Sequence, residues 1–156
     1  MSRAKSRLAA GGAVAVLACA FVGAWEGLRT ESYRDIVGVP TICYGETRGV
    51  HPGDHKTKAE CDAMLLARLN EFAGHVEACV KRPMPDRVEV AFVSLAYNIG
   101  EGAFCGSSVA RLYNKGEGRA ACDAMMRFNR AGGRVLAGLT NRRKEERKLC
   151  LEGVAG

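Results

Sequence analysis

The stretch "EGLRTESYRDIVGVPTICYGET", residues 26–47, places two carboxylates and a hydroxyl at fixed intervals. Glu26 and Asp35 are nine positions apart, and Thr41 follows six positions later. In residues 33–47, β-branched and aromatic residues interrupted by glycine and proline predict a small β-hairpin. We therefore expect Glu26 at a helix end and Asp35 at the entrance of a hairpin, where the two side chains can face each other across a groove.

Two carboxylates that face each other across a groove can cleave a glycosidic bond. One, kept protonated by partial burial, donates a proton to the leaving oxygen, and the other, ionised, orients or activates a water molecule. A threonine hydroxyl such as that of Thr41 can hold this water. On spacing alone, however, a solvated Glu26 and a turn Asp35 are the more common interpretation, because many helices carry a Glu and many hairpins carry an Asp.

The residues before Glu26 form a basic tail followed by an uncharged segment. Residues 1–7 carry three basic side chains, and residues 8–25 are 18 residues without a charge. As a helix this segment would be roughly 27 Å long, close to the ~30 Å hydrocarbon core of a bilayer, but it is rich in Ala and Gly and only weakly hydrophobic. Basic residues before it and acidic residues after it predict a cytoplasmic N-terminus and an external remainder.

Three interpretations of this segment compete. A cleaved signal peptide is possible because residues 18–20 fit a small-x-small cleavage site. A lipoprotein signal is possible because residues 16–19 loosely fit a lipobox. The third interpretation is an uncleaved anchor that binds the bilayer with little margin.

The rest of the chain alternates helical patterns with loops, and the helix before the hairpin is expected to continue through residue 32. Later helices are expected to start at a capping box of Thr57 and Glu60, a capping box of Asp86 and Glu89, a Ser107 or Ser108 cap, and a Thr140 cap. Apolar residues at helical spacing predict one long helix after residue 57 and a buried one over residues 87–99. The predicted fold class is α+β and mostly helical.

Length and charge limit the class of protein. The chain has 156 residues, enough for one domain, and a net charge of +6 to which the N-terminal tail contributes three charges. This excess suits an anionic polymer or a membrane surface without demanding nucleic acid. The basic segment "NRRKEERK", residues 141–148, is interpreted as a solvated amphipathic helix because Glu145 and Glu146 interrupt its positive charge.

Seven cysteines are many for this length, and none forms a C-x-x-C pair. His51, His55 and Cys61 could suggest a metal site, but loop histidines are usually solvated, so neither a metal nor a cofactor is predicted. Six cysteines follow the uncharged segment and permit three disulfides in 15 possible pairings, which indicates an oxidising compartment. Cys19 is the odd one by location.

Several motifs together resemble one known family. The pattern E-x8-D-x5-T followed by "ICYG" (residues 42–45) resembles the active-site segment of phage-type lysozymes, the muramidases of glycoside hydrolase family twenty-four. Further matching motifs are "YNIGEGAFCGSS" (97–108), "AGG" (131–133) and "GLTNRRKEERKLC" (138–150). The resemblance covers roughly residues 25–152. The weak N-terminal segment resembles that of the signal-arrest-release subgroup of endolysins, which are exported uncleaved, held in the inner membrane, and activated when the segment leaves the bilayer.

By position, the resemblance implies that Glu26 is the general acid, Asp35 the base that directs water, and Thr41 its helper. It also implies that Arg142 faces the catalytic Glu. A cation there favours ionised Glu26 and opposes its role as an acid, so desolvation has to offset the charge of Arg142.

The resemblance extends to the glycan cleft, with two departures. Gly45, Tyr97 and Ser108 match cleft positions, although Tyr97 is equally well interpreted as a core aromatic residue on a buried helix. Cys43 stands where many members have Gly, and Glu46 stands where many have His. Glu46 therefore places another carboxylate near the cleft.

The resemblance and the helix layout favour three disulfide pairs, namely Cys43–Cys61, Cys79–Cys105 and Cys122–Cys150. The first would tie the catalytic hairpin to the long helix. Cys19 then has two interpretations. It is either a small apolar residue of the segment or a regulatory thiol that, after release, attacks the disulfide at Cys43 and rearranges the active site.

The resemblance implies a lysozyme-like muramidase domain over residues 26–156, with a hairpin region and a helical lobe, after a signal-arrest-release membrane segment over residues 1–25. The expected activity is hydrolysis, with inversion, of the β-1,4 bond between N-acetylmuramic acid and N-acetylglucosamine in peptidoglycan, causing host lysis. Expected partners are peptidoglycan and, through residues 8–25, the host inner membrane, but not nucleic acid. A monomer is expected, soluble in the periplasm after release. The alternative is a membrane-anchored, non-catalytic glycan-binding module with a lysozyme fold.

Overall fold

A computed structural model describes residue 8 and residues 12–156 of the chain. The basic tail and residues 9–11 of the uncharged segment lie outside the described residues. In residues 12–156 the helices are α1 (Ala13–Glu26), α2 (Lys58–Cys79), α3 (Asp86–Ile99), α4 (Glu101–Cys105), α5 (Ser108–Asn114), α6 (Gly118–Ala124) and α7 (Ala137–Ala155), and a 3-10 turn (Met125–Arg127) follows α6. The strands are β1 (Arg29–Arg34), β2 (Pro40–Cys43), β3 (Arg130–Ala131) and β4 (Arg134–Val135). The predicted class, α+β and mostly helical, is confirmed.

The helix that carries Glu26 ends earlier than the sequence predicts. Gly27 takes a left-handed φ of 73°, while its N–H donates a hydrogen bond to Gly23 O at 3.2 Å. Glycine adopts this conformation without steric cost, and it ends the helix. The chain then forms β1, which pairs antiparallel with β2 and places Tyr33 opposite Thr41. The predicted hairpin is confirmed, and the predicted continuation of the helix through residue 32 is wrong.

Small side chains let α1 pack closely into the domain. Val14, Ala15, Ala18 and Val22 are buried, and α1 contacts α2 and α3. A Cβ added at Gly23 would lie only 3.3 Å from Tyr44 Cε1. The Ala and Gly residues that weaken the hydrophobicity of this segment therefore also permit a close helix contact. No helix in the described part of the chain combines the length and the apolar character needed to cross a membrane.

The predicted start of α2 is confirmed. Glu60 N–H donates to Thr57 Oγ1 at 3.1 Å, and Thr57 N–H donates back to Glu60 Oε1 at 3.1 Å, which is the reciprocal capping box. Residues at helical spacing are buried on one face of α2: Cys61, Leu65, Leu69, Ala73 and Val76. This face packs on α1, α3 and β2.

The central helix is α3, which contacts α1, α2, α4 and α7. Its residues from Val88 to Ala96 are all buried, as the sequence predicts. The predicted capping box at its start is wrong, because Pro85 occupies the N-cap position and no side chain caps the helix. Asp86 and Glu89 instead lie within the first turn, where carboxylates interact favourably with the helix dipole.

The C-terminal part differs from the prediction at two places. A second hairpin, β3–β4, forms where the sequence predicted only the end of a helix. The last helix starts at Ala137, so Thr140 lies inside α7 and does not cap it. Its Oγ1 accepts a hydrogen bond from Asn129 Nδ2 at 3.2 Å, which joins α7 to the turn before the hairpin. Ser107 caps α5 as predicted, with its Oγ accepting from Ala110 N–H.

The basic segment at residues 141–148 is not a fully solvated helix face. Arg142, Arg143 and Glu146 are buried, whereas Lys144 and Glu145 are exposed. The prediction of a solvated amphipathic helix is therefore wrong for three of these residues. Their charges are compensated by one another and by groups on other helices.

The six cysteines after α1 form three disulfides, and these are the pairs that the resemblance favours. They are Cys43–Cys61, Cys79–Cys105 and Cys122–Cys150. The first attaches the end of β2 to the start of α2. Cys19, on α1, is free.

Candidate active site

Glu26 is the last residue of α1, where the helix meets the hairpin. Its side chain is 22% exposed, and its Oε1 accepts a hydrogen bond from Arg142 Nη1 at 2.7 Å. Arg142 is almost completely buried on α7. The structure therefore brings together two residues that are 116 positions apart, as the resemblance implies, in a short ion pair at the protein surface.

A buried polar cluster holds Arg142 from behind. Arg142 Nε donates to Glu146 Oε1 at 3.2 Å, and Arg143 Nη2 donates to the same oxygen at 2.8 Å. Ser94 Oγ, on α3, donates to it at 2.8 Å. Glu146 is completely buried. The sequence indicated Arg142 through the family resemblance but did not indicate Ser94, which lies on a helix far away in the chain, or the burial of Glu146 and Arg143.

Asp35 lies in the turn that connects β1 to β2. Its Oδ1 accepts hydrogen bonds from Val37 N–H at 3.0 Å and Val39 N–H at 2.8 Å. Its own backbone closes the same turn, with Asp35 N–H donating to Val39 O and Gly38 N–H donating to Asp35 O. These bonds are typical of an Asx turn, and they fix the carboxylate with local backbone alone.

Thr41 is buried on β2 opposite Tyr33. Its Oγ1 donates a hydrogen bond to Val39 O at 2.9 Å. Val39 also donates its N–H to Asp35, so Thr41 and Asp35 are attached to the same backbone residue. The hydroxyl oxygen of Thr41 keeps lone pairs with which it can accept a further hydrogen bond.

A tight turn after β2 places Gly45 beside Glu26. Ile42 and Glu46 exchange backbone hydrogen bonds at 2.9 Å in both directions. Within the turn Cys43 has φ 61° and Gly45 has φ 90°. A Cβ added at Gly45 would lie 4.0 Å from Glu26 Oε2. The left-handed φ of Cys43 gives a physical reason for the glycine that many family members have there.

Glu46 does not stand free near the groove. Its side chain is 11% exposed, and Arg68 Nε on α2 donates to its Oε2 at 2.9 Å. Its Oε1 accepts from the backbone N–H groups of Thr47 and Arg48. The extra carboxylate is therefore neutralised by a cation that the sequence did not single out. Arg68 also contacts Glu71, one turn later on α2.

Tyr97 lies on α3, near enough to Glu26 and Glu46 for both charges to act on its hydroxyl. Its hydroxyl donates to Tyr44 O at 3.3 Å. Burial raises the pKa of Tyr97 to about 12, and the negative charges of Glu26 and Glu46 add to this rise. Its hydroxyl therefore remains a neutral donor at any ordinary pH. Ser108 begins α5, where its Oγ accepts from Arg127 Nη1 at 3.1 Å.

Cys19 lies in a groove of about 760 Å³ between α1 and α2, which is also lined by Tyr44 and Asp62. Burial raises the pKa of its thiol, and the Asp62 carboxylate adds to the rise. Both effects disfavour the thiolate that disulfide exchange requires. In the part of the chain that the structure describes, no group of three His, Cys, Asp or Glu side chains could hold a metal ion.

Comparison with known proteins identifies the family. Residues 23–146 match the family model described as phage lysozyme. The chain belongs to the phage lysozyme family. A SAR-endolysin of Bacteriophage PS119 is 38% identical over 149 residues, which cover 92% of this chain and 89% of that relative.

Two solved structures of phage lysozymes have the same fold. A variant of P22 lysozyme has a TM-score of 0.80 and 32% identity, with 86% of this chain and 94% of that one covered. The active form of the P1 phage endolysin Lyz has a TM-score of 0.71 and 29% identity, with 92% and 96% covered. The chain is thus a lysozyme-type glycosidase of the SAR-endolysin class.

Proposed function

We propose that this endolysin hydrolyses the β-1,4 bond between N-acetylmuramic acid and N-acetylglucosamine in peptidoglycan, with Glu26 as its general acid. The observation that carries the proposal is the position of Glu26. Its carboxyl group is partly buried at the end of α1, one oxygen faces Arg142, and the other lies beside Gly45, where no side chain blocks access. Membership of the phage lysozyme family supports the substrate.

The proposed reaction uses three side chains. Glu26, protonated, donates its proton to the glycosidic oxygen as the bond breaks. Asp35, ionised and held by two backbone N–H groups, directs a water molecule to the opposite face of the sugar ring and accepts a proton from it as it attacks. Thr41 Oγ1 accepts a hydrogen bond from this water while its own hydroxyl continues to donate to Val39 O. Attack from the opposite face inverts the anomeric centre.

We assign the glycan cleft to Gly45, Tyr97 and Ser108. Gly45 leaves room beside Glu26 for a sugar ring, and the Tyr97 hydroxyl donates to the backbone oxygen of Tyr44, the residue before Gly45. No hydrogen bond among the described residues connects Ser108 to Glu26, Asp35 or Thr41, so its place in the cleft is supported by family position alone.

The test is the substitution Glu26→Gln, with the matched control Glu31→Gln. An amide cannot donate the required proton, so clearing of outer-membrane-permeabilised Gram-negative cells by Glu26→Gln is expected to slow by about 10²–10⁴-fold. Glu31, exposed on β1, is expected to tolerate the same change. NMR of the released sugar should show the inverted anomer. Clearing by Glu26→Gln at the rate of the control would overturn the assignment, and binding of glycan without cleavage by the unmodified chain would favour the non-catalytic alternative.

We further propose that residues 1–25 first hold the protein in the host inner membrane and that residues 26–156 act in the periplasm after release. The SAR-endolysin relatives support this proposal. So does α1, because its buried small residues suit it to pack against the domain once it has left the bilayer. With the segment in the bilayer, Glu26 could not reach Arg142.

Release is tested by Ala13→Leu with Ala20→Leu, two exposed positions of α1 where a larger side chain does not disturb the core. Each Leu favours the bilayer by roughly 0.3–0.6 kcal/mol, so the pair is expected to shift the membrane-to-soluble ratio by about fivefold and to delay lysis. The control is Ala13→Ser with Ala20→Ser. Arrest and release would be contradicted if the double-Leu and double-Ser variants had the same membrane-to-soluble ratio. It would also be contradicted if cells that express the unmodified chain contained a shortened soluble product.

A further inference from the structure

The ion pair between Glu26 and Arg142 conflicts with the role of Glu26 as an acid. An adjacent cation stabilises the ionised form of a carboxyl group. Arg142 Nη1 lies 2.7 Å from Glu26 Oε1 and is nearly excluded from solvent, where its charge is weakly screened. Some feature of the site has to weaken this effect if Glu26 is to carry a proton when substrate binds.

Glu146 is the feature that competes with Glu26 for Arg142. Its Oε1 lies 3.2 Å from Arg142 Nε, one turn later on α7. Arg142 therefore contacts two carboxylates on different edges of its guanidinium plane, Glu26 through Nη1 and Glu146 through Nε. Its remaining nitrogen, Nη2, donates to the backbone oxygen of Ser94 at 3.3 Å.

We propose that Glu146 is a positioning residue that shares the Arg142 guanidinium with Glu26 and thereby lets Glu26 keep the proton that the reaction needs. The proposal rests on the proposed role of Glu26 as the general acid. Glu146 is too deeply buried to contact substrate, since its side chain is 0% exposed. It touches Glu26 through no contact of its own, and Arg142 is the residue that contacts both carboxylates.

The charge balance of the cluster gives the direction of the effect. With Glu146 ionised, Arg142 and Arg143 leave one net positive charge when Glu26 is protonated and none when it is ionised. Without the Glu146 charge these values become two and one. Ionisation of Glu26 would then relieve a larger excess of positive charge, so Glu146 favours the protonated form of Glu26.

Glu146 has the surroundings needed to remain ionised. Burial raises the pKa of this carboxyl, and the charges of Arg143 and Arg142 and the Ser94 hydroxyl oppose this rise without cancelling it. Three donors converge on Oε1, and two of them are guanidinium groups within 3.2 Å. Such charge-assisted bonds stabilise the carboxylate form. Among the described residues its Oε2 makes no hydrogen bond, so neither oxygen donates a proton to a neighbour.

Other ionisable groups on the elements around Glu146 are engaged elsewhere. Arg143 Nη1 donates to Asn98 Oδ1 and to Phe128 O. Arg147 on α7 pairs with Asp123 on α6, and Arg127 in the 3-10 turn donates to Ser108. α3 also buries Glu89, and it carries Tyr97 near Glu26. None of these groups lies in a described hydrogen bond or ion pair with both Arg142 and Glu26.

The test compares pH profiles of peptidoglycan hydrolysis for the full chain, Glu146→Gln and Glu145→Gln. The reaction requires a proton on Glu26, so the rate is expected to fall on the alkaline side of the pH profile. Glu146→Gln is expected to shift the alkaline side of the profile, the alkaline limb, to lower pH by about one unit. At a pH above this limb the variant would then be about tenfold slower than the unmodified chain, while the acidic limb stays in place. Glu145 is exposed on the same helix and gives the same change in net charge, so its variant should keep both limbs.

A conservative variant separates charge from structure. Glu146→Asp keeps the negative charge and is expected to lower the peak rate without moving the alkaline limb. A Glu146→Gln profile that is lowered at every pH with its alkaline limb unmoved would mean a structural role only and would overturn the inference.

If Glu146→Gln does not fold, the same shift is measured between Arg143→Gln and the double variant Arg143→Gln with Glu146→Gln. The double variant leaves Arg142 and Glu26 as a balanced pair, and an unmoved alkaline limb in this comparison overturns the inference equally.

Glu26→Gln in the same assay separates failure of the proposed function from failure of the inference about Glu146. If it is inactive at every pH, the proposed function stands whatever Glu146→Gln shows, and if it is active, both the proposed function and this inference are overturned.

Discussion

Glu26 and Asp35 are held in opposite ways. Glu26 depends on Arg142, which lies 116 positions away on the last helix and is itself held by buried partners on α3 and α7. Asp35 is held by the N–H groups of Val37 and Val39, two and four residues along its own turn. One carboxylate therefore requires most of the fold to be assembled, whereas the other requires only a five-residue turn.

Because of this difference, we expect substitution of Asp35 to affect mainly activity and substitution of the partner of Glu26 to affect mainly stability. Removing the charge of Asp35 leaves an oxygen that can still accept both backbone bonds, so the turn should persist. Removing the partner of Glu26 also takes one of its two cations from the buried Glu146, and the cost of such a change falls on the whole fold. The substitutions below test this difference in order of expected effect.

Asp35→Asn should give the largest effect, and it should be confined to activity. The amide oxygen retains the hydrogen bonds from Val37 and Val39 but carries no charge to direct water. Clearing of permeabilised cells is expected to slow by about 10²–10⁴-fold, while the free energy of unfolding changes by less than about 0.5 kcal/mol. Initial clearing rates and urea unfolding measure the two quantities. A large loss of stability would show that Asp35 is not held by its turn alone.

Arg142→Met should act mainly on stability. It removes the cation that Glu26 and Glu146 share, and breaking a buried pair in this way typically costs about 3 kcal/mol or more of unfolding free energy. Lys144→Met, two positions later and exposed, is the matched control and should stay within about 0.5 kcal/mol. Urea midpoints compare the two variants. A loss below about 1 kcal/mol for Arg142→Met would show that Glu26 does not depend on the buried cluster.

Gly38→Ala should give the smallest effect, confined to the turn of Asp35. Gly38 has φ 83°, and a Cβ added there meets no atom within 4 Å, so the cost is backbone strain of about 1 kcal/mol. Gly74→Ala is the control, because Gly74 lies inside α2 with equally open space and Ala should stabilise a helix by about 0.5–1 kcal/mol. Thermal unfolding measures both. Equal shifts of the same sign would contradict the conformational explanation.

Features encoded within a few residues could be predicted from the sequence. The Thr57 and Glu60 capping box forms as expected because both partners lie in one turn of chain. The β-branched and aromatic residues of segment 33–47 indicated the hairpin, and the spacing from Glu26 to Thr41, joined to the family motifs, indicated the candidate site residues. The predicted capping box at Asp86 is wrong because α3 starts one residue earlier, with Pro85 at the N-cap position. The sequence pattern does not fix a helix start to within one residue.

Contacts between distant residues could not be predicted. Glu146 was interpreted as a solvent-exposed charge because its burial depends on how α7 packs on α3, where its partner Ser94 lies 52 positions away. Its other partners, Arg142 and Arg143, lie one turn before it on α7. The same limit applies to Arg68, which neutralises Glu46 from the middle of α2. Arg142 was found only through family position. Charges on a helix therefore predict a solvated face until the packing of the other helices is known.

The three disulfides join cysteines that are neighbours in chain order after α1, so their covalent loops follow one another without nesting. Each loop can therefore close independently of the next pair of cysteines. No disulfide of the described residues reaches α1. Detachment of α1 would thus open only part of the protein. The three disulfides would still limit the conformational entropy of the rest of the chain. The helix that ends in Glu26 can leave and return without any covalent bond being broken.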